Sequence, residues 1–113
     1  MLLNEMNISD GKIISFNASL QGLKLFIQDW EEQRWLIIFK EVLSFQSMSA
    51  EYEELSHLDI VVEDNFKKYT MEYFDDENLR DYLCFNFYGA WSDRALLKII
   101  AKNNYSISKL SER

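Results

Sequence analysis

The chain of 113 residues contains no proline, three glycines, one histidine and one cysteine. Proline usually makes up about 5% of residues, so its absence argues against flexible linkers and proline-rich docking segments. The few glycines form no Gly-rich loop of the kind that cradles phosphates. The single cysteine, Cys84, excludes an intramolecular disulfide and a cluster of thiolate metal ligands, and it favours the reducing cytosol.

The sequence also lacks a long apolar run. Its longest such run, residues 35–39, is far shorter than the roughly 20 residues of a membrane-spanning helix. The first residues have no basic segment of the kind that opens a signal peptide. We therefore expect a soluble, cytoplasmic protein that does not bind membranes. The length fits one domain spanning residues 1–113, and the aromatic fraction of 15% supplies enough bulk for a compact core.

Alternation of apolar and polar residues dominates the chain. It predicts a mainly β fold, an antiparallel sandwich or open barrel of about seven strands, with or without one short helix. The strands are predicted at residues 14–20, 23–27, 34–39, 58–62, 67–74 and 82–88, with residues 29–33 closing a hairpin. The third strand is apolar on both faces, which predicts a central strand covered on both sides.

Two segments of the chain are ambiguous. Within residues 40–57, Val42, Leu43 and Phe45 fit either an extension of the third strand or a turn, and residues 49–55 fit a short helix with Ser49 as its N-cap. Residues 95–102 fit either a strand or a helix, and we favour the strand because residues 82–88 offer an antiparallel partner across a short loop.

Negative charge is concentrated in the middle third of the chain. Residues 51–81 contain eleven acids and three bases, a charge of −8, whereas residues 1–50 carry −2 and residues 82–113 carry +3. Such a field repels nucleic acid and attracts basic proteins. The acids could serve only to keep a small β protein soluble. Alternatively, acids and neighbouring tyrosines form a partner-binding surface, for which the candidates are Glu51, Tyr52, Glu53, Glu54, Glu63, Asp64, Tyr73, Asp75, Asp76 and Glu77.

No motif in the sequence predicts catalysis, a cofactor or a metal site. The only histidine, His57, has Ser56 beside it, but neighbours in a strand point to opposite faces. Cys84 lies within a predicted strand and is expected to be a small core residue. The acidic turn at residues 75–78 lacks the central glycine and the spacing of a calcium loop. We therefore expect no catalytic residue, no cofactor and no metal, and predict that the protein is not an enzyme.

Two parts of the sequence resemble a known class of proteins. These are FYGAWSD at residues 87–93 followed by LKIIA at residues 97–101, and Asp29-Trp30 followed by Ile38-Phe39. They resemble small bacterial β-rich proteins, some of which look like immunity proteins of polymorphic or contact-dependent toxin systems. The resemblance covers most of the chain and implies a function in binding rather than catalysis. It also implies that the carboxylates occupy the sites where a basic nuclease toxin would bind phosphates.

The sequence thus predicts an acidic, cytoplasmic protein-binding protein, and more specifically an immunity protein that inhibits a basic toxin domain. Two alternatives stay open. One is a homo-oligomeric structural module, such as a homodimer formed through aromatic faces or strand edges. The other is a β domain that binds a small ligand.

Overall fold

The computed structural model describes residues 2–111 and contains eight strands and one α-helix within that range. Two short 3₁₀ turns, Leu3–Glu5 and Leu79–Asp81, flank these elements. The strands are β1 (Lys12–Ser19), β2 (Gly22–Gln28), β3 (Arg34–Phe39), β4 (Val42–Ser47), β5 (Leu55–Val61), β6 (Tyr82–Gly89), β7 (Ala95–Lys102) and β8 (Tyr105–Lys109), and the helix α1 is Asn65–Tyr73.

The strands form two four-stranded sheets in which every described pairing between strands is antiparallel. The first sheet has the order β1-β2-β3-β8, and the second has the order β4-β7-β6-β5. This confirms the predicted fold class. Tight connections at Lys40-Glu41 and at Asn103-Asn104 carry the chain between the sheets at one corner.

The core lies between the two sheets because one face of each strand is apolar. In β2, Leu23, Leu25 and Ile27 alternate with polar or half-buried neighbours and are fully buried. They meet Phe85 and Phe87 of β6 in one continuous cluster. Phe39 of β3 packs on Phe85 with ring centroids 5.0 Å apart, a spacing at which aromatic pairs attract.

The predicted strand at residues 82–88 is confirmed as β6, and its neighbour β7 confirms the strand interpretation of residues 95–102. β6 is buried on both faces. Phe85 and Phe87 face the core between the sheets, whereas Tyr82 and Cys84 face a smaller apolar cluster on the outer side. Cys84 is fully buried, as expected of a small core residue.

The strand predicted at residues 67–74 is wrong, because Asn65–Tyr73 forms the helix α1. Asp64 caps it by accepting hydrogen bonds from the backbone N–H groups of Phe66 and Lys67 at 2.8 and 3.2 Å. Phe66 and Met71 then pack against the outer cluster of the second sheet. The apparent alternation at these residues therefore reflects two sides of a helix rather than two faces of a strand.

Two further expectations are wrong. Residues 49–55 do not form a helix: Ser49 has a left-handed backbone with φ of 53°, and the segment up to Glu54 is an irregular loop. β3 is central in its sheet, as predicted, but it is covered on one face only. Leu36 and Ile38 on its outer face are half-buried, because α1 packs against the other sheet.

Candidate functional site

The ten candidate partner-binding residues lie in two separate groups. Glu51, Tyr52, Glu53 and Glu54 precede the first residue of β5, and the other six follow its last residue. β5 has seven residues, so about 20 Å of extended strand separates the groups. The candidate partner-binding residues are therefore divided between the two ends of the edge strand β5.

Asp64, in the second group, is engaged by the protein itself. Besides capping α1, its Oδ2 lies 2.6 Å from Nζ of Lys98, and the two side chains are only 12% and 21% exposed. Burial raises the pKa of Asp64, but the hydrogen bonds from Lys98 and the helix N–H groups, together with the charge of Lys98, outweigh it and leave the pKa below its usual value. Asp64 therefore fixes α1 on the second sheet.

The other members of the second group, Glu63, Tyr73 and the turn at residues 75–77, are exposed. Glu77 accepts a hydrogen bond from the hydroxyl of Tyr82 at 2.8 Å. Burial, followed by this hydrogen bond, raises the pKa of Tyr82 to about 12. Tyr73 packs edge-on against Tyr69, so this end of the strand presents an acidic turn beside a helix that carries a pair of exposed tyrosines.

The first group belongs to a corner where four backbone segments lie side by side. Lys12 at the start of β1 pairs with Gln28 at the end of β2 on one side and with Glu54 on the other. Leu55 continues the row by donating to the carbonyl of Gly11 at 2.8 Å and by pairing with Gly89 of β6. Neighbouring strands lie about 4.8 Å apart, so the four backbones span about 15 Å. We call this region the β1–β5 corner.

Three large aromatic side chains are exposed on the turns that leave the β1–β5 corner. Trp30 is 61% exposed on the turn after β2, Tyr52 is 68% exposed on the loop before β5, and Trp91 is 87% exposed on the turn after β6. Exposed acids surround them: Asp10, Glu31, Glu32, Glu51, Glu53 and Glu54. The corner thus combines exposed aromatic rings with negative charge.

The loop that carries Tyr52 is held in a strained conformation. Tyr52 has φ of 66°, a region that costs a residue with a side chain roughly 1–2 kcal/mol. The loop is nevertheless anchored. Tyr52 donates its N–H to the carbonyl of Ile13 at 2.6 Å, Glu54 accepts from Ala90 at 2.9 Å, and Ala50 is fully buried. The anchors fix the loop backbone while its aromatic ring stays in solvent.

The turn that carries Trp30 is organised by Asp29. One carboxylate oxygen accepts from the N–H groups of Glu31 and Gln33 at 3.0 and 2.9 Å, and the other accepts from the indole N–H of Trp35 at 3.0 Å. Such side-chain bonds to the backbone mimic a turn and restrict it. The hairpin turn predicted here is confirmed by the pairing of β2 with β3.

Sequence reasoning did not select Trp30 or Trp91 as binding residues. A signal was present, because each tryptophan stands in a segment predicted as a turn or loop, where a large apolar ring has little to pack against. Only the pairing of β1 with both β2 and Glu54 shows that these tryptophans and Tyr52 leave the same corner.

The other residues considered for chemistry are His57, Cys84 and the acids that could hold a metal ion. His57 stacks flat on Tyr88 with centroids 4.5 Å apart. The expectation that Ser56 and His57 point to opposite faces is wrong, because β5 is irregular between Leu55 and His57 and the Ser56 hydroxyl lies 3.0 Å from Nδ1 of His57. Its Nε2 is 3.7 Å from Asp59, beyond hydrogen-bond distance, and both side chains are more than half exposed. Burial raises the pKa of the Cys84 thiol to about 12. Within residues 2–111, no three His, Cys, Asp or Glu side chains converge to hold a metal ion.

The chain matches no family model, no curated protein and no solved structure. In the described range of residues, no helix combines the length and apolarity required to cross a bilayer.

Proposed function

We propose that this protein binds a basic protein partner through the β1–β5 corner, and that it acts as an immunity-type inhibitor of a basic toxin domain. The observation that carries this proposal is the placement of Trp30, Tyr52 and Trp91 on anchored turns of one corner, among exposed carboxylates. The sequence resemblance to immunity proteins supports the toxin as the class of partner.

The aromatic side chains would provide most of the affinity. Tryptophan and tyrosine are enriched among the few residues that dominate binding energy at interfaces. The turns of Trp30 and Tyr52 are already fixed by Asp29 and by the hydrogen bonds of the loop at residues 48–54, so binding there orders little backbone and loses little entropy. A patch about 15 Å wide fits well within the roughly 800 Å² that each partner contributes to a standard interface.

The strain at Tyr52 supports the same surface. Strained backbone persists only where the surrounding structure enforces it, and such residues cluster at functional sites. Here the strain is enforced by bonds to Ile13 and Ala90, and its effect is to hold an aromatic ring in water.

The carboxylates would speed association and select the partner's charge. Opposite charge accelerates encounter, and the acceleration falls with ionic strength. A basic toxin surface that binds nucleic-acid phosphates is complementary to Glu51, Glu53 and Glu54. By covering that surface, the corner would block access of the phosphates.

The first experiment is capture of the partner from a lysate of the native organism, with washes at low and then high salt. The proposal expects one basic protein that is retained at low salt and weakened at high salt. Association of the identified partner is then measured with two charge-reversal variants. One is Glu51→Lys/Glu53→Lys/Glu54→Lys at the corner, and the matched control is Asp75→Lys/Asp76→Lys/Glu77→Lys at the other end of β5.

The corner triple variant should slow association at low salt much more than the control. A second pair tests the aromatics: Trp30→Ala/Trp91→Ala should speed dissociation, whereas Tyr69→Ala/Tyr73→Ala on α1 should not. If only the α1-side variants weaken binding, the interface lies at that end and the corner assignment is wrong. If neither triple variant alters association, steering by these acids is wrong as well.

A further inference from the structure

The free edge of β1 carries no charge, a property that it shares with the shorter edge strand β4. Residues 13–23 contain no charged residue. Since 27% of the chain is charged, a stretch of this length would ordinarily contain about three. Charged side chains on edge strands normally discourage pairing with another chain, and β1 lacks this protection.

The backbone of this edge is also unpaired. β1 pairs with β2 on one side, and on the other side its bridges are confined to Lys12 and Ile13. Within residues 2–111, no strand therefore pairs with the outer edge of Ser15–Ser19. Phe16 packs edge-on against Phe45 of β4 with ring centroids 5.7 Å apart, and an open cleft of about 370 Å³ lined by Ala18, Leu23 and Phe45 among others lies between the hairpin and β4. The row of free N–H and C=O groups is available to a further strand.

The other three edge strands are shorter and differ from β1 in charge or regularity. β8 has five residues and ends in Lys109, and β5 carries the exposed Asp59. β4 has six residues with an irregularity between Val42 and Ser44. β1 has eight residues, which makes it the longest edge, and its segment from Ser15 to Ser19 is regularly paired with β2.

We propose that β1 is a homodimer interface, in which two copies pair their β1 strands antiparallel about a two-fold axis. A second copy is the occupant that the charge pattern favours. The protein carries a net charge of −7, so two copies repel each other over most of their surfaces. Along Ser15–Ser19 the two paired strands meet without a charged side chain, and the interface is self-complementary as two-fold symmetry requires.

The register follows from the ends of the regular segment. An irregularity between Ile13 and Ser15 ends the regular ladder on one side, and the turn at Leu20 ends it on the other. The two-fold axis therefore passes at Asn17. Phe16 of one copy then faces Ala18 of the other, a large residue opposite a small one, and the fully exposed Leu20 reaches the partner copy near Ile14.

The test measures the mass of the native protein by sedimentation and light scattering across concentration. A mass rising from 13.5 kDa to twice that value is expected, and added salt should strengthen the dimer because it screens the repulsion of like net charges. Asn17→Glu places two carboxylates directly opposite each other, which is destabilising, and should weaken self-association by up to about fivefold. Ser106→Glu, at an exposed position of edge strand β8 in the same sheet, should have no such effect.

A cross-link checks the register independently. Directly opposite residues of antiparallel strands have Cα atoms about 4.5–5.5 Å apart, which suits a disulfide. Asn17→Cys should therefore form a disulfide-linked dimer under mild oxidation, and Ser106→Cys should not. A monomeric mass at high micromolar concentration would overturn the proposal. So would a dimer that Asn17→Glu does not weaken, since that dimer would use another surface. Circular dichroism and thermal melting verify that each variant is folded.

Discussion

Replacing Asp64 with alanine removes two interactions that fix α1 on the second sheet. The carboxylate caps the helix through the N–H groups of Phe66 and Lys67 and pairs with the ammonium group of Lys98 at 2.6 Å. Loss of an N-cap costs about 1 kcal/mol. Loss of a hydrogen bond to a charged group costs about 1.5–3 kcal/mol, and the low end applies because Lys98 keeps some access to water. We therefore expect a loss of about 2–3 kcal/mol in the free energy of unfolding.

Two further variants divide this loss between the cap and the charge. Asp64→Asn keeps an oxygen for the cap but removes the negative charge, so it should cost about 1–2 kcal/mol. Combining it with Lys98→Met removes the unpaired ammonium group, so the double variant should lose less than the sum of the two single losses. Urea denaturation at neutral pH, monitored by circular dichroism, measures the free energy of unfolding of each variant.

Acid pH provides an independent check of the same ion pair. The pKa of Asp64 is lower in the folded protein than its ordinary value. Its contribution to stability is therefore fully present above the unfolded pKa of about 3.9, and it is lost as the pH falls through the lower folded pKa. Asp64→Asn should flatten the stability profile in that window. A loss below about 0.5 kcal/mol for Asp64→Ala, or an unchanged acid profile for Asp64→Asn, would refute the structural role assigned here.

Three other predictions concern the packing and backbone of the fold. Cys84, with its pKa raised to about 12 by burial, should react with a thiol reagent at least about a hundredfold more slowly in the folded than in the unfolded protein. Tyr52→Gly should raise the free energy of unfolding by about 0.5–1 kcal/mol because glycine relieves the left-handed strain. The same change should weaken partner binding. A lower free energy of unfolding in urea would contradict the strain argument. Gly22→Ala should cost more than about 2 kcal/mol, because φ is +128° and the new Cβ would collide with the Phe39 carbonyl oxygen. Gly89→Ala, whose Cβ would meet only the movable Leu96 side chain, is its milder control in the same melting assay.

Most of the strands could be predicted because their signal is local. In β2, the two-residue period puts Leu23, Leu25 and Ile27 on one face whatever the rest of the chain does. Burial of Cys84 followed in the same way from its place inside a predicted strand.

The helix at residues 65–73 could not be separated from a strand on this local evidence. Tyr69, Met71 and Tyr73 alternate as in a strand, and the helix is held in place by contacts from distant residues, including an ion pair that uses the other carboxylate oxygen of Asp64. Lys98, 34 residues away, satisfies that oxygen from β7. Long-range contacts of this kind determine which of two locally acceptable structures forms.

The candidate site shows the same division. By itself, the sequence determined the fold class, the concentration of acids in residues 51–81 and the absence of charge from residues 13–23. It could not determine which residues share a surface, because one strand separates the acids of residues 51–54 from those of residues 63–77. Only the tertiary structure decided that Trp30, Tyr52 and Trp91 leave one corner, since this depends on strand pairing between segments far apart in the chain.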